Sequence, residues 1–283
     1  MATVKVRGVE HYYEWISKSQ ENNSKPVMVF IHGWGGSSRY WESTALQLSD
    51  RYNCLLYDLR GFGRSVSSSG ESSSLSYELE EYARDLAALL DTLAIEKVSL
   101  NAHSMGASVG VFFINSYAER VEQAILTCNG IFEYDEKAFA AFHKFGAYVV
   151  KFRYKWFLKV PFAETLFMAR FLSRSIEQKG KKQFLEDFLL ADFEAAVGTI
   201  YTSVSKKAVE VMPKEFARIE VPTLLISGEK DQIIPPKMGR MAADLNERIR
   251  YQEISGTGHF PMLEDSDAYL KSVRDFLEKN YNT

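Results

Sequence analysis

Cysteine is scarce in this chain. Only Cys54 and Cys128 occur among 283 residues, each inside an apolar run, so they read as free buried thiols of a reducing compartment and not as a disulfide framework. Neither has a partner at metal-ligand spacing, so no metal or other cofactor is expected. An excess of charge is also missing: 34 Lys and Arg stand against 37 Asp and Glu, a formal net charge of -3. Nucleic acid is therefore not an expected partner, because counterion release needs a field of basic groups that the chain as a whole lacks. The opening residues, MATVKVRGVEHYY, break every apolar stretch with a polar or charged side chain. No export signal is expected there, and a cytoplasmic location is. Internal repeats are absent, and one biased stretch, SVSSSGESSSLS at 65–76, reads as a mobile loop.

What is present is 46% hydrophobic residues, enough for one large core and an insertion. Residues 2–17 alternate loosely, as an edge hairpin would. Five short runs (27–32, 53–58, 97–104, 122–128 and 223–229) are apolar at nearly every position, the pattern of strands covered on both faces. Between them Leu79, Tyr82, Ala83, Leu86, Leu89, Leu90 and Leu93 recur at helical spacing, and DAYLKSVRDFLEKN predicts a closing helix. Alternating strands and helices give an α/β class with a mostly parallel sheet. The alternation stops at 131–212, which has no strand-like run, and residues 132–193 hold 12 of the 19 Phe. A helical cap at 131–212, inserted in a core of 1–130 and 213–283, is expected.

Nucleophilic catalysis by serine needs an exposed hydroxyl at a strand end, an imidazole to take its proton and backbone donors for the oxyanion. Ser104 in NAHSMGA lies at a strand-to-helix junction, Asp231 follows TLLISGEK, and His259 stands in SGTGHFPM. Capping a helix would explain Ser104 equally well taken alone. The segments HGWGG (32–36), DLRGFGRS (58–65), AHSMG (102–106), GEKDQIIP (228–235) and GTGHFPMLE (256–264) occur in one order with suitable spacing. Together they resemble the α/β-hydrolase superfamily, in its serine-nucleophile, esterase- or lipase-like branch with a helical cap, over roughly 25–130 and 220–280. The resemblance implies a catalytic triad of Ser104, Asp231 and His259, in the chain order of that family. It also implies oxyanion donors at the backbone N–H groups of Trp34 and Met105, and a supporting role for His32 in the oxyanion loop. Trp34 and Phe260 are the candidate substrate-contacting side chains.

The turn departs from the usual Gly-x-Ser-x-Gly: Gly106 is kept, but Ala102 replaces the first glycine and Ala107 stands where many relatives have another. The strand position of His103 turns its side chain away from the active face. Asp58 and Arg60 read as loop-fixing residues, while His11 and His143 have no chemical company. Competitors for the acid are Glu229 beside Asp231, and Asn129, Glu133 and Asp135 one strand earlier. HGWGG is not a phosphate loop, since it lacks the Lys-Ser/Thr of that pattern.

Between Lys144 and Lys182 there are ten Lys or Arg and two acids, a local surplus of 10 − 2 = +8. A simple amphipathic cap would turn aromatics toward the active site and leave the basic residues solvated; a second reading makes the basic cap a candidate for peripheral membrane contact. Four charges within 151–159 exclude a spanning helix there. Either cap favours a hydrophobic small-molecule substrate, so the expected activity is hydrolysis of a hydrophobic carboxylic ester or thioester. The same triad could serve carbon–carbon bond hydrolysis, perhydrolysis or acyl transfer, and a slow-turnover ligand receptor is the alternative from another class.

Overall fold

The computed structural model describes residues 2–17, 25–66 and 75–281; most of the serine-rich stretch, residues 67–74, lies outside them. The first strands, β1 (Ala2–Val6) and β2 (Val9–Ile16), form the expected edge hairpin. Arg7 and Gly8 make its two-residue turn, both at positive φ (48° and 89°), as the twist of a tight hairpin demands. The five doubly apolar runs become β3 (Val27–Ile31), β4 (Asn53–Tyr57), β5 (Val98–His103), β6 (Val121–Thr127) and β7 (Thr223–Gly228). An eighth strand, β8 (Ile249–Ile254), completes a sheet of order β1-β2-β4-β3-β5-β6-β7-β8. Pairing is antiparallel at β1–β2 and β2–β4 and parallel throughout the rest.

Alternation along the strands divides the core in two. Val29 and Ile31 join one apolar cluster and Met28 and Phe30 the other, and Leu126 and Ile125 divide in the same way. The first face is covered by α2 (Leu79–Thr92), whose leucine stripe is buried, and by α3 (Met105–Ser116). The opposite face is covered by α1 (Glu42–Leu48) and α11 (Ser266–Tyr281). Cys54 and Cys128 are buried free thiols.

Between β6 and β7 come α4 (Glu136–Lys151), a 3-10 turn at Lys155–Lys159, α5 (Ala163–Met168), α6 (Gln178–Leu190), α7 (Phe193–Ser203) and α8 (Lys206–Ala217). No strand occurs there among the described residues. The expected boundary at residue 212 falls inside α8, which packs beside α3 and buries Met212 and Phe216 in the first core cluster. The chain then returns through β7, α9 (Pro236–Ala243), β8 and α10 (Pro261–Glu264). The rest of the insertion is tied to the loop after β3. Asp187 of α6 accepts from Ser37 Oγ at 2.6 Å and from the Arg39 guanidinium, and Trp34 Nε1 donates to Ala196 O at 2.9 Å.

Candidate active site

Ser104 follows β5 directly and precedes α3, with φ 54° and ψ -124°. A non-glycine residue held there stores on the order of 1–3 kcal/mol and persists only where its surroundings over-determine it. Here they do. Its N–H donates to Thr127 O at 2.8 Å, and its carbonyl accepts from Ala107 N (2.9 Å) and from Asn129 Nδ2 (2.8 Å). Gly106 is obligatory, because a Cβ there would stand 2.3 Å from the carbonyl oxygen of His32. The alanine at 102 has room for a different reason. Its methyl is opposite Gly110 of α3, and even a Cβ added at 110 would be 3.5 Å away, an ordinary contact.

Ser104 faces His259 across 3.0 Å, Oγ to Nε2, and His259 Nδ1 stands 2.7 Å from Asp231 Oδ2. Asp231 Oδ1 is engaged by the N–H groups of Ile233 (2.8 Å) and Ile234 (3.0 Å). With the carboxylate accepting, Nδ1 carries the imidazole hydrogen, and the lone pair of Nε2 is left to receive the serine hydroxyl. His259 and Asp231 are buried, and Ser104 is partly exposed. Three residues separated by up to 155 positions thus form one hydrogen-bonded line. Met105 is the first residue of α3, where N–H groups have no partner within the helix. Gly33 lies against Ser104, since a Cβ there would be 3.0 Å from that of Ser104. The loop holding Trp34 and the start of α3 are therefore neighbours of the serine.

Around this line is a set of buried polar residues that fixes its backbone. His103, on the sheet face away from Ala102, accepts at Nδ1 from Tyr40 Oη (2.9 Å) and donates from Nε2 to the carbonyl of His259 (2.7 Å). Tyr40 Oη in turn accepts from Gly33 N. The glycine-rich loop and the histidine loop are joined through two side chains. His32 donates from Nδ1 to Gly33 O and accepts at Nε2 from Leu59 N, so it does brace the loop. Burial holds it below the usual histidine range.

Asp58 accepts from Ser38 N and from Arg64, at 2.8 Å each. Burial alone would raise this carboxyl, but the Arg64 hydrogen bonds and charge outweigh it and bring the pKa down. Arg60 pairs with Asp85 at 2.9 Å, both buried. Glu264 does more than the sequence suggested: it accepts from Gly258 N and Phe260 N on either side of His259, and from Ser173 N (2.7 Å) and Arg174 N (2.8 Å) of the insertion.

The remaining candidates are elsewhere engaged. Glu229 binds Ser255 and Gly256 N, Glu133 pairs with Lys237, and Asp135 caps α4. Asn129 buttresses the serine turn. His11 and His143 bond to the carbonyls of Val9 and Val204. Trp34 packs on Phe188 of α6, ring centroids 5.5 Å apart. Phe260, expected to touch substrate, is 1% exposed, and its ring packs on His103, Tyr40 and Phe184. It is a wall behind His259, because the backbone turn after His259 directs it into the core. His103, Cys128 and His259 lie close enough to suggest a metal cluster. Both nitrogens of each imidazole already have partners, and burial with the charge of Asp231 raises the Cys128 thiol well above its ordinary pKa. A thiol kept protonated is a poor ligand.

The model of the alpha/beta hydrolase fold family matches residues 26–266. An uncharacterized hydrolase of Bacillus subtilis, YugF, is 24% identical over 286 residues, covering 96% of each chain. The enol-lactonase of Burkholderia xenovorans superposes with a TM-score of 0.78 at 22% identity, over 98% of this chain and 100% of the other. A thermophilic esterase of Thermogutta terrifontis gives 0.76 at 21% identity, over 99% of both. With the family match spanning residues 26–266, the chain is a hydrolase of the alpha/beta hydrolase fold family.

Proposed function

We propose that the chain cleaves a hydrophobic carboxylic ester or thioester through an acyl-enzyme on Ser104. The observation that carries this reading is the Ser104–His259–Asp231 line, with a strained serine at the head of α3. His259 Nε2 takes the Ser104 proton as Oγ attacks the acyl carbonyl, and Asp231 steadies the imidazolium. The oxyanion is met by the N–H groups of Trp34 and Met105. Collapse breaks the acyl–oxygen or acyl–sulfur bond, and the leaving group takes the proton from Nε2. Water, deprotonated by His259, then attacks the acyl-serine, releasing the acid and restoring the serine hydroxyl.

Specificity for apolar acyl groups is supported by the small cluster of Leu185, Phe188 and Leu189, against which Trp34, Phe157 and Phe167 pack. Each methylene such a wall buries contributes up to about 0.8 kcal/mol. On a series of acetyl, butyryl and octanoyl esters and their thioesters, kcat/KM should climb with acyl length by up to about fourfold per methylene. The Ser104→Ala variant should lose at least about a thousandfold on every member. A flat profile across the series would remove the hydrophobic-acyl assignment.

A further inference from the structure

The outer layer of the insertion is built against the usual logic of a soluble surface. Of the sixteen residues of α4 only Gly146 and Val150 are buried, whereas α2 buries eight of its fourteen. The inward positions Val149, Phe157 and Phe167 do pack, on the cluster of Leu185, Phe188 and Leu189. The outward positions are aromatic as well. Phe145 is 64% exposed, Tyr148 50%, Trp156 56%, Phe162 77% and Leu166 80%. An amphipathic cap with aromatics only inside is thus contradicted. Phe162 adds a second oddity, holding φ at 62°, which costs a bulky residue energy, with no core contact in return. An exposed apolar surface of this extent marks an interaction site.

Charge identifies the occupant. Residues 144–162 contain Lys144, Lys151, Arg153, Lys155 and Lys159 and no acid. The acids in the first turns of the flanking helices are Glu136, which opens α4 beside Lys137, and Glu164 of α5, which accepts from Gln178. Arg153 is committed to the carbonyls of Phe188 and Ala191. The four lysines are exposed, and the lysine ion pairs among the described residues lie elsewhere, on Lys206, Lys207, Lys237 and Lys271. Lys144 and Lys151 also flank an open groove of about 450 Å3 floored by Tyr148, Phe193 and Tyr201. A second copy of the chain would bring the same positive face against this one, with like charges opposed. Protein interfaces in general are poor in lysine. Aromatic rings alternating with lysines, whose stems lie along apolar surface while their heads reach for phosphate, match the boundary of a bilayer.

We infer that the face formed by α4, the 155–159 turn and the start of α5 docks on an anionic lipid bilayer. The rings enter the interface, and the lysines meet lipid phosphates. Docking concerns where the molecule works and is independent of the role of Ser104. No helix among the described residues is long and apolar enough to cross a membrane, so the contact is peripheral.

The test is co-sedimentation of the full chain with vesicles of phosphatidylcholine alone, and with about a third phosphatidylglycerol. Binding should be confined to the anionic vesicles and should weaken as salt screens the charges. Changing Lys151, Lys155 and Lys159 to Gln should cut partitioning about a hundredfold, at about fivefold per lysine. Leu166→Ser with Phe162→Ser should also release the protein from vesicles, while its melting temperature and its turnover of a soluble ester stay at wild-type values. Equal binding to both vesicle types, no binding, or binding indifferent to the lysines would each overturn the inference. So would a dimer in velocity sedimentation that Leu166→Ser dissolves. None of these outcomes would touch covalent labelling of Ser104, so the two readings fail separately.

Discussion

His103 is completely enclosed, and burial draws its imidazole well below the ordinary histidine range, with the neighbouring His259 adding to the effect. Its bonds require the neutral ring, since Nδ1 accepts from Tyr40 while Nε2 donates to the carbonyl of His259. The unfolded chain takes up a proton at this residue near pH 6.5 and the folded chain does not. The stability this group contributes is therefore fully present above about pH 6.5 and declines as pH falls toward its depressed folded value, by about 1.4 kcal/mol per pH unit. His32 and His11, also lowered by burial, act in the same direction. Urea unfolding at a series of pH values between about 7.5 and 5.5 should show that decline, and His103→Asn should make it shallower by about one proton's worth. An unchanged slope in the variant would show that His103 is not held neutral.

At the level of elements, the contact between β5 and α3 explains which glycines the serine turn needs. Gly106→Ala would drive a methyl into the His32 carbonyl, 2.3 Å away, and should destabilise by about 1–3 kcal/mol, distorting the loop that holds Trp34. Gly110→Ala meets only Ala102 and Leu126 at 3.5 Å and should stabilise by up to about 1 kcal/mol through helix propensity. Thermal unfolding of the two variants checks the pair, and a larger loss at 110 than at 106 would contradict the packing.

The sequence made this level largely readable. Strands buried on both faces are continuous apolar runs, and Ser104 and Asp231 sit just beyond the ends of two of them, β5 and β7, while His259 stands in the loop after β8. β8 escaped because Arg250, Gln252 and Glu253 interrupt an edge strand that is buried fully only at Ile249 and Ile254. Tyr40 and Glu264 escaped because the partners that let each join two loops, His103 for Tyr40 at 63 residues and Ser173 and Arg174 for Glu264 at up to 91, leave no local pattern. The outward aromatics of α4 escaped for another reason. Helical periodicity says which side chains share a face, but not which face meets the core.

Across the whole molecule, Glu264 is the joint between core and insertion. Its carboxylate collects the N–H groups of Gly258 and Phe260 with one hand of the chain and those of Ser173 and Arg174 with the other. His259 N also donates to Phe171 O at 2.7 Å, so the position of the insertion and that of the imidazole are mechanically linked. Glu264→Gln turns an amide donor toward backbone donors. It should lower unfolding stability by about 2–3 kcal/mol, and kcat should fall at least about tenfold well below the melting transition. A stability loss with unaltered kcat would reduce Glu264 to a structural anchor.

The central claim, that the Ser104 hydroxyl is the nucleophile activated by His259, is tested most directly by reacting the intact protein with a fluorophosphonate and mapping the adduct by mass spectrometry. One equivalent should be found on Ser104, none should form in Ser104→Ala, and labelling of His259→Ala should be slower by at least about a thousandfold. An adduct on another residue, or undiminished labelling of the Ser104→Ala variant, would contradict it.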